Sequence, residues 1–123
     1  MVLTVLTSCE KKDPYRWLPD NTICIRGDFD VPAEGGTVTV RIICRDPVLL
    51  LGPKRDIDLL SDERDTICGS WYKAYRQQED QYTTNLVVEA KNNDTGARRY
   101  LSFVVMNEQY DYGEVIEMSQ ESE

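Results

Sequence analysis

Thr37-Val38-Thr39-Val40-Arg41-Ile42-Ile43-Cys44 is the stretch that decides the fold. Val38, Val40, Ile42 and Cys44 alternate with Thr37, Thr39, Arg41 and Ile43. A period of two sends successive side chains to opposite faces of an extended chain, so this is a strand with one buried and one wetter face. Ala33-Glu34-Gly35-Gly36 precedes it and reads as a turn, because glycine accepts positive φ without steric cost. After it, Val48 to Leu51 is a short apolar run between Pro47 and Gly52-Pro53.

The same alternation recurs further along. Leu86, Val88 and Ala90 alternate with Val87, Glu89 and Lys91, and Asn92-Asn93-Asp94-Thr95-Gly96 is a strong turn signal. Leu101, Phe103 and Val105 alternate with Tyr100, Ser102 and Val104, followed by a turn over Asn107 to Gly113. Ile116, Met118 and Gln120 alternate with Glu117 and Ser119. Upstream, Thr22 to Ile25 and Phe29 to Val31 are short β-pieces, the second closed by Pro32. Ile67 to Arg76 carries Trp71, Tyr72 and Tyr75, and aromatic residues favour strands. Gln77 to Gln81 is a polar connection. Residues 54–65 are charge-rich around Ile57, Leu59 and Leu60, which leaves two readings open: a loop with an edge strand, or a single helical turn. About seven strands at short spacing, without a long helical period, predict an all-β chain folded as a two-sheet antiparallel sandwich.

With 123 residues the chain allows one domain, and 41% hydrophobic content favours a globular protein over disorder. The net charge is −8, from 22 acidic and 14 basic residues. An acidic surface repels a phosphate backbone, so nucleic acid is not an expected partner. No run approaches the roughly 20 apolar residues that span a bilayer.

The N-terminus supplies an address. Leu6-Thr7-Ser8-Cys9 follows a short apolar run and precedes Glu10-Lys11-Lys12-Asp13. It looks like a bacterial lipobox, where a signal peptidase cuts before the cysteine and the cysteine carries lipid. The run is shorter than the usual h-region of about 7–15 apolar residues and lacks a basic n-region. Residues 1–8 therefore read as a truncated signal remnant, 9–21 as a tether and 22–121 as the domain. A disordered N-terminus with a chance cysteine is the alternative. Trp17 and Leu18 interrupt the polar tether and are expected to dock on the domain. The expected location is the cell envelope, periplasmic or surface-exposed, with membrane attachment only through lipid on Cys9. Stable anchoring then needs more than one acyl chain.

If Cys9 carries lipid, Cys24, Cys44 and Cys68 remain of the four cysteines. One disulfide, with Cys44–Cys68 the preferred pair, stands beside three buried free thiols as the two readings. The spacings give no zinc pattern.

The chain contains no histidine, which excludes Ser-His-Asp and Cys-His nucleophile activation and any histidine-ligated metal. Carboxylate pairs are expected by chance among 22 acids, so they read as solvated surface rather than as glycoside-hydrolysing machinery. Asp28 with Asp30, Asp56 with Asp58, and Asn92-Asn93-Asp94 cluster oxygen ligands, but none matches a calcium loop; turn caps are the expected role. No enzyme, cofactor or metal is expected. Sugar binding uses aromatic faces flanked by amides and carboxylates. Tyr110 and Tyr112, in a hairpin loop beside Asn107, Glu108, Gln109 and Asp111, are the leading candidates, with Trp71 third. Each has a packing alternative: edge packing for the tyrosines, a buried core position for Trp71. Tyr72, Tyr75 and Tyr82 read as a surface strip or as simple strand formers, and Arg98 and Arg99 as partners of nearby acids.

Val31-Pro32-Ala33-Glu34-Gly35-Gly36-Thr37-Val38-Thr39-Val40 resembles the opening of the BACON domain, a Bacteroidetes-associated module often found N-terminal to glycoside hydrolases. Trp71 falls where that family carries a tryptophan. Leu86 to Arg98 resembles its strand, asparagine turn and arginine, and Ile116-Glu117-Met118-Ser119-Gln120 its closing strand, which ends in glutamine. The resemblance covers roughly residues 22–120. It implies an immunoglobulin-like β-sandwich and binding of carbohydrate or mucin-type glycans. The expected function is therefore a non-catalytic, lipid-anchored envelope module for glycans. The alternative is a structural or assembly protein of a surface complex, making protein–protein contacts.

Overall fold

The alternating segments become paired strands, and their order decides which residues meet. The computed structural model describes residues 17–20, 22–52, 59–60 (backbone only), 66–108 and 112–123. In chain order the strands are β1 (Ile23–Gly27), β2 (Asp30–Val31), β3 (Gly36–Cys44), β4 (Val48–Leu51), β5 (Leu59–Leu60), β6 (Thr66–Cys68), β7 (Tyr72–Gln78), β8 (Thr83–Ala90), β9 (Arg99–Asn107) and β10 (Gly113–Gln120). They form two five-stranded sheets, ordered β1-β3-β8-β7-β6 and β2-β10-β9-β4-β5. The runs β1-β3-β8-β7 and β10-β9-β4 are the two halves of an immunoglobulin-like sandwich.

The expected count of about seven strands becomes ten among the described residues. β5 and β6 are edge strands of two and three residues, too short to reveal a period. Ile67 to Arg76, which reads as one strand, is two. The chain folds back at Gly69-Ser70-Trp71, and the Gly69 amide donates to the Tyr72 carbonyl at 2.8 Å. Of the two readings for residues 54–65, an edge strand is present at Leu59–Leu60, paired with β4. Upstream, the chain leaves β1 at Gly27, with φ 153°, and crosses to the other sheet, where β2 lies parallel to β10. A Cβ at Gly27 would stand 2.6 Å from the Thr39 carbonyl oxygen, so the crossing needs glycine.

The core is the set that the alternation picks out. Val38, Val40, Ile42 and Cys44 of β3 and Leu86 and Val88 of β8 face Leu101, Phe103 and Val105 of β9 and Ile116 and Met118 of β10. Burying a side chain the size of Phe103 or Leu86 is worth about 1.5–3 kcal/mol. Ile43 and Val87, assigned to the wetter face, are buried as well.

Register fixes the two ends of the sandwich. Ile43 pairs with Thr83 and Val48 with Asn107, so the 45–47 and 79–82 turns share one end with Glu108 and Tyr112. Gly36 pairs with Ala90 and Gln120 with Arg99, so the 32–35 turn, the 91–98 loop and the C-terminal residues share the other. The chain enters at the first end. Leu18 is buried, its carbonyl accepts from Arg45 Nε at 2.8 Å, and Trp17 lies under the Arg26 guanidinium at 5.4 Å.

Cys24, Cys44 and Cys68 are free thiols, which corrects the expected Cys44–Cys68 disulfide. β8 and β7 lie between β3 and β6. Three interstrand steps of about 4.8 Å exceed the roughly 7 Å that a disulfide spans between Cα atoms. Three buried thiols are not found either, because Cys68 is exposed and Cys24 half-buried. Cys9 lies outside the described residues.

Candidate functional site

A cleft of about 300 Å³ opens at the first end, between the β3–β4 and β7–β8 turns. Asp46, Pro47, Val48, Arg76, Tyr82 and Thr84 are among its walls, with Gln78, Gln81 and buried Cys44 beside them. β3 and β8 are hydrogen-bonded neighbours, so turns more than 30 residues apart in sequence come together. Arg76 reaches the cleft because it shares the inward parity of buried Ala74 on β7.

Hydrogen bonds fix these walls. Gln78 Nε2 donates to the Asp80 carbonyl at 2.7 Å, and its Oε1 accepts from Thr84 Oγ1 at 2.8 Å and from Arg76 Nη2 at 3.3 Å. The Tyr82 amide donates to Asp80 Oδ1 at 3.0 Å, closing the turn. Arg45, which does not line the cleft, packs 5.3 Å from the Tyr82 ring centre. The Cys44 amide donates to the Tyr82 carbonyl at 2.9 Å, which ties the two turns together.

Tyr112 holds Asp46. Its hydroxyl donates to Asp46 Oδ2 at 2.8 Å and lies 3.4 Å from Cys44 Sγ. Burial first, and then the Cys44 and Asp46 neighbours, push the phenol well above its ordinary pKa, so the hydroxyl keeps its proton. With that proton given to Asp46, the thiol is left to donate to the phenolic oxygen. The Tyr112 amide donates to Oδ1 of buried Asn107 at 3.1 Å. Tyr112 is thus half-buried edge packing that positions a carboxylate. Tyr110 lies outside the described residues.

Trp71 stands at the opposite end, half-buried against the core. The Arg99 guanidinium sits 4.5 Å from its ring centre, and Tyr72 meets it edge-on at 5.2 Å. Arg99 Nε and Nη2 donate to Gln120 Oε1 at 3.2 and 2.9 Å, and Nη2 also reaches the Asn92 carbonyl at 3.0 Å. Gln120 is fully buried, and its Nε2 donates to the Pro32 and Lys91 carbonyls, both at 2.8 Å. Asn93, also fully buried, donates to the Ala97 and Gln120 carbonyls and accepts from Thr95. Trp71, Asn93, Arg99 and Gln120 therefore meet in one polar clasp around buried backbone, away from the cleft.

The further expectations divide between those met and those not. Arg98 does pair with an acid, Glu121, at 2.9 and 2.6 Å. Arg99 instead engages an amide and backbone carbonyls. Tyr72, Tyr75 and Tyr82 form no strip, because strand alternation points Tyr72 toward the core and Tyr75 outward to Glu89, while Tyr82 lies at the cleft. Asn93 serves as a turn cap, and the Asp28 carboxylate lies 3.5 Å from the Asp30 amide. Asp56 and Asp58 lie outside the described residues. Sequence reasoning missed Asp46, Arg76, Gln78 and Gln81 as one site; the available signal was a pair of polar turns closing two neighbouring strands.

No family model and no curated protein matches the chain. Among solved structures it is similar to an NMR structure of a protein from Bacteroides thetaiotaomicron, with TM-score 0.53 and 19% sequence identity over 94% of this chain and 98% of that one. At that identity the likeness carries the fold alone, a β-rich architecture shared with a Bacteroides protein.

Proposed function

We propose that the protein is a non-catalytic, lipid-anchored module of the bacterial envelope whose cleft holds a sugar residue. The observation that carries this is the wall chemistry. Tyr82 and Val48 offer apolar surface to ring C–H groups, and Asp46, Arg76 and Gln81 offer acceptors and donors to hydroxyls. The Tyr112 and Thr84 bonds preorganise that wall, which lowers the entropy cost of binding. Asp46 is the one carboxylate in the described lining, where glycoside hydrolysis uses two. The lipobox-like Leu6-Thr7-Ser8-Cys9 supports the anchor. An assembly role by strand addition finds less support. Among the described residues the edge strands β1 and β2, whose flanks are described, have five and two residues, and short edges offer little template.

A glycan array tests the binding reading with wild type, Asp46→Ala and Tyr82→Ala. Hits that fall about tenfold or more in both variants, the loss of roughly 1.4 kcal/mol or more, are expected. No hit, or hits indifferent to both changes, refutes it. Mass spectrometry of the native protein tests the anchor: an acylated N-terminal Cys9 is expected, and an unmodified Cys9 with Met1 retained overturns it.

A further inference from the structure

Beyond Tyr112 lies a second hollow of about 280 Å³, lined by Thr22, Ile23, Tyr112, Gly113 and Glu114. Its chemistry shares part of the first, without that cleft's arginine and amides. The cleft combines Tyr82, Asp46, Thr84 and Val48; the hollow combines Tyr112, Glu114, Thr22 and Ile23. Each set holds one aromatic ring, one carboxylate, one hydroxyl and one branched aliphatic side chain. Tyr112 joins them. It walls the hollow, and its hydroxyl touches Asp46 and Cys44, which both line the cleft. The two spaces are therefore one tyrosine side chain apart, on the same end of the sandwich. Each volume sits near the lower bound of small-molecule pockets, room for one ring rather than for a large ligand.

We infer that the cleft and the hollow are adjoining subsites for successive residues of a glycan chain, with Tyr112 as the wall between them. This rests on the sugar-binding reading of the cleft and adds a chain-length requirement to it. Tyr112 suits the role because both its ends are fixed, the amide by Asn107 and the hydroxyl by Asp46. A single sugar gains only one set of contacts. A chain gains the second set without a second loss of translational freedom.

The test is an array printed with mono-, di- and tetrasaccharides of hexose, uronic acid and N-acetylhexosamine types, followed by calorimetry on the family that binds. Within that family, affinity should rise about tenfold from monosaccharide to tetrasaccharide. Glu114 is exposed, so Glu114→Ala should leave the fold intact, read by circular dichroism, and remove most of the rise. Asp46→Ala should weaken every length. Equal affinity at all lengths, or a rise that Glu114→Ala leaves intact, overturns the two-subsite inference while the cleft reading stands. An array without hits overturns the cleft reading itself.

Discussion

Replacing Gln120 with alanine probes the clasp at its centre. The side chain is fully buried and satisfies two strand-end carbonyls, Pro32 and Lys91, with its amide hydrogens. Its oxygen accepts twice from Arg99. Each neutral bond is worth about 1 kcal/mol net, and the charge-assisted contact about 1.5–3 kcal/mol. Some of this is recoverable. The Pro32 carbonyl keeps the Gly35 amide, and Arg99 keeps the Asn92 carbonyl and the Trp71 ring. A net loss of about 3 kcal/mol follows from these terms together with the void left behind. That is a large share of the roughly 5–15 kcal/mol that holds a domain folded. For a domain of up to about 100 residues it lowers the melting temperature by about 12–24 °C. Urea unfolding followed by circular dichroism gives the free energy, and Gln120→Met separates shape from hydrogen bonding. Methionine refills the space and loses every bond, so it should recover only the cavity part. A loss below about 1 kcal/mol for Gln120→Ala, or a Gln120→Met protein as stable as wild type, refutes the view that polar satisfaction holds this end.

Tyr112→Phe keeps the ring and removes the hydroxyl; urea unfolding should show a loss of about 1 kcal/mol, with weaker binding at the cleft. The Arg98 guanidinium holds the Glu121 carboxyl below its ordinary range, by hydrogen bonding first and charge second. A lowered folded-state value means that this contribution is present above the ordinary glutamate value and is lost as pH falls through the lowered one. An NMR titration of Glu121 should show its midpoint rising to the ordinary value in Arg98→Ala. Under native conditions a thiol reagent such as Ellman's should label exposed Cys68 first and reach buried Cys44 only on unfolding; equal rates would contradict the core position of Cys44.

The strands that proved legible were those long enough to show a period. Val38 to Cys44 and Leu101 to Val105 display it because one face of each is apolar and the other solvated. Even buried Gln120 was readable as an inward position, although nothing local says that its partners are Pro32 and Lys91, 88 and 29 residues away. β5 and β6 were hidden by brevity, and the parallel pairing of β2 by the absence of any local mark for a change of sheet. The site was read by its end of the molecule rather than by its residues. Tyr112 belongs there, but its hydroxyl turns to Asp46, 66 residues upstream. Arg76 and Asp46 become neighbours only once β3, β8 and β7 are placed side by side.

The seat of Leu18 beneath Arg45 decides which way an anchored molecule would face. The chain departs from the end that carries the cleft. From Cys9 to Trp17 are eight residues, a reach of at most about 29 Å when fully extended. With lipid on Cys9, the cleft would hang toward the bilayer within that leash, and the Gln120 clasp would form the outer cap. Energy transfer from labelled headgroups to dyes placed at either end would read this orientation directly. Held so, a sugar-binding cleft would meet polymer chains rooted in the envelope itself before anything arriving from the medium, and the length of the leash, as much as the fit of the walls, would select its ligand.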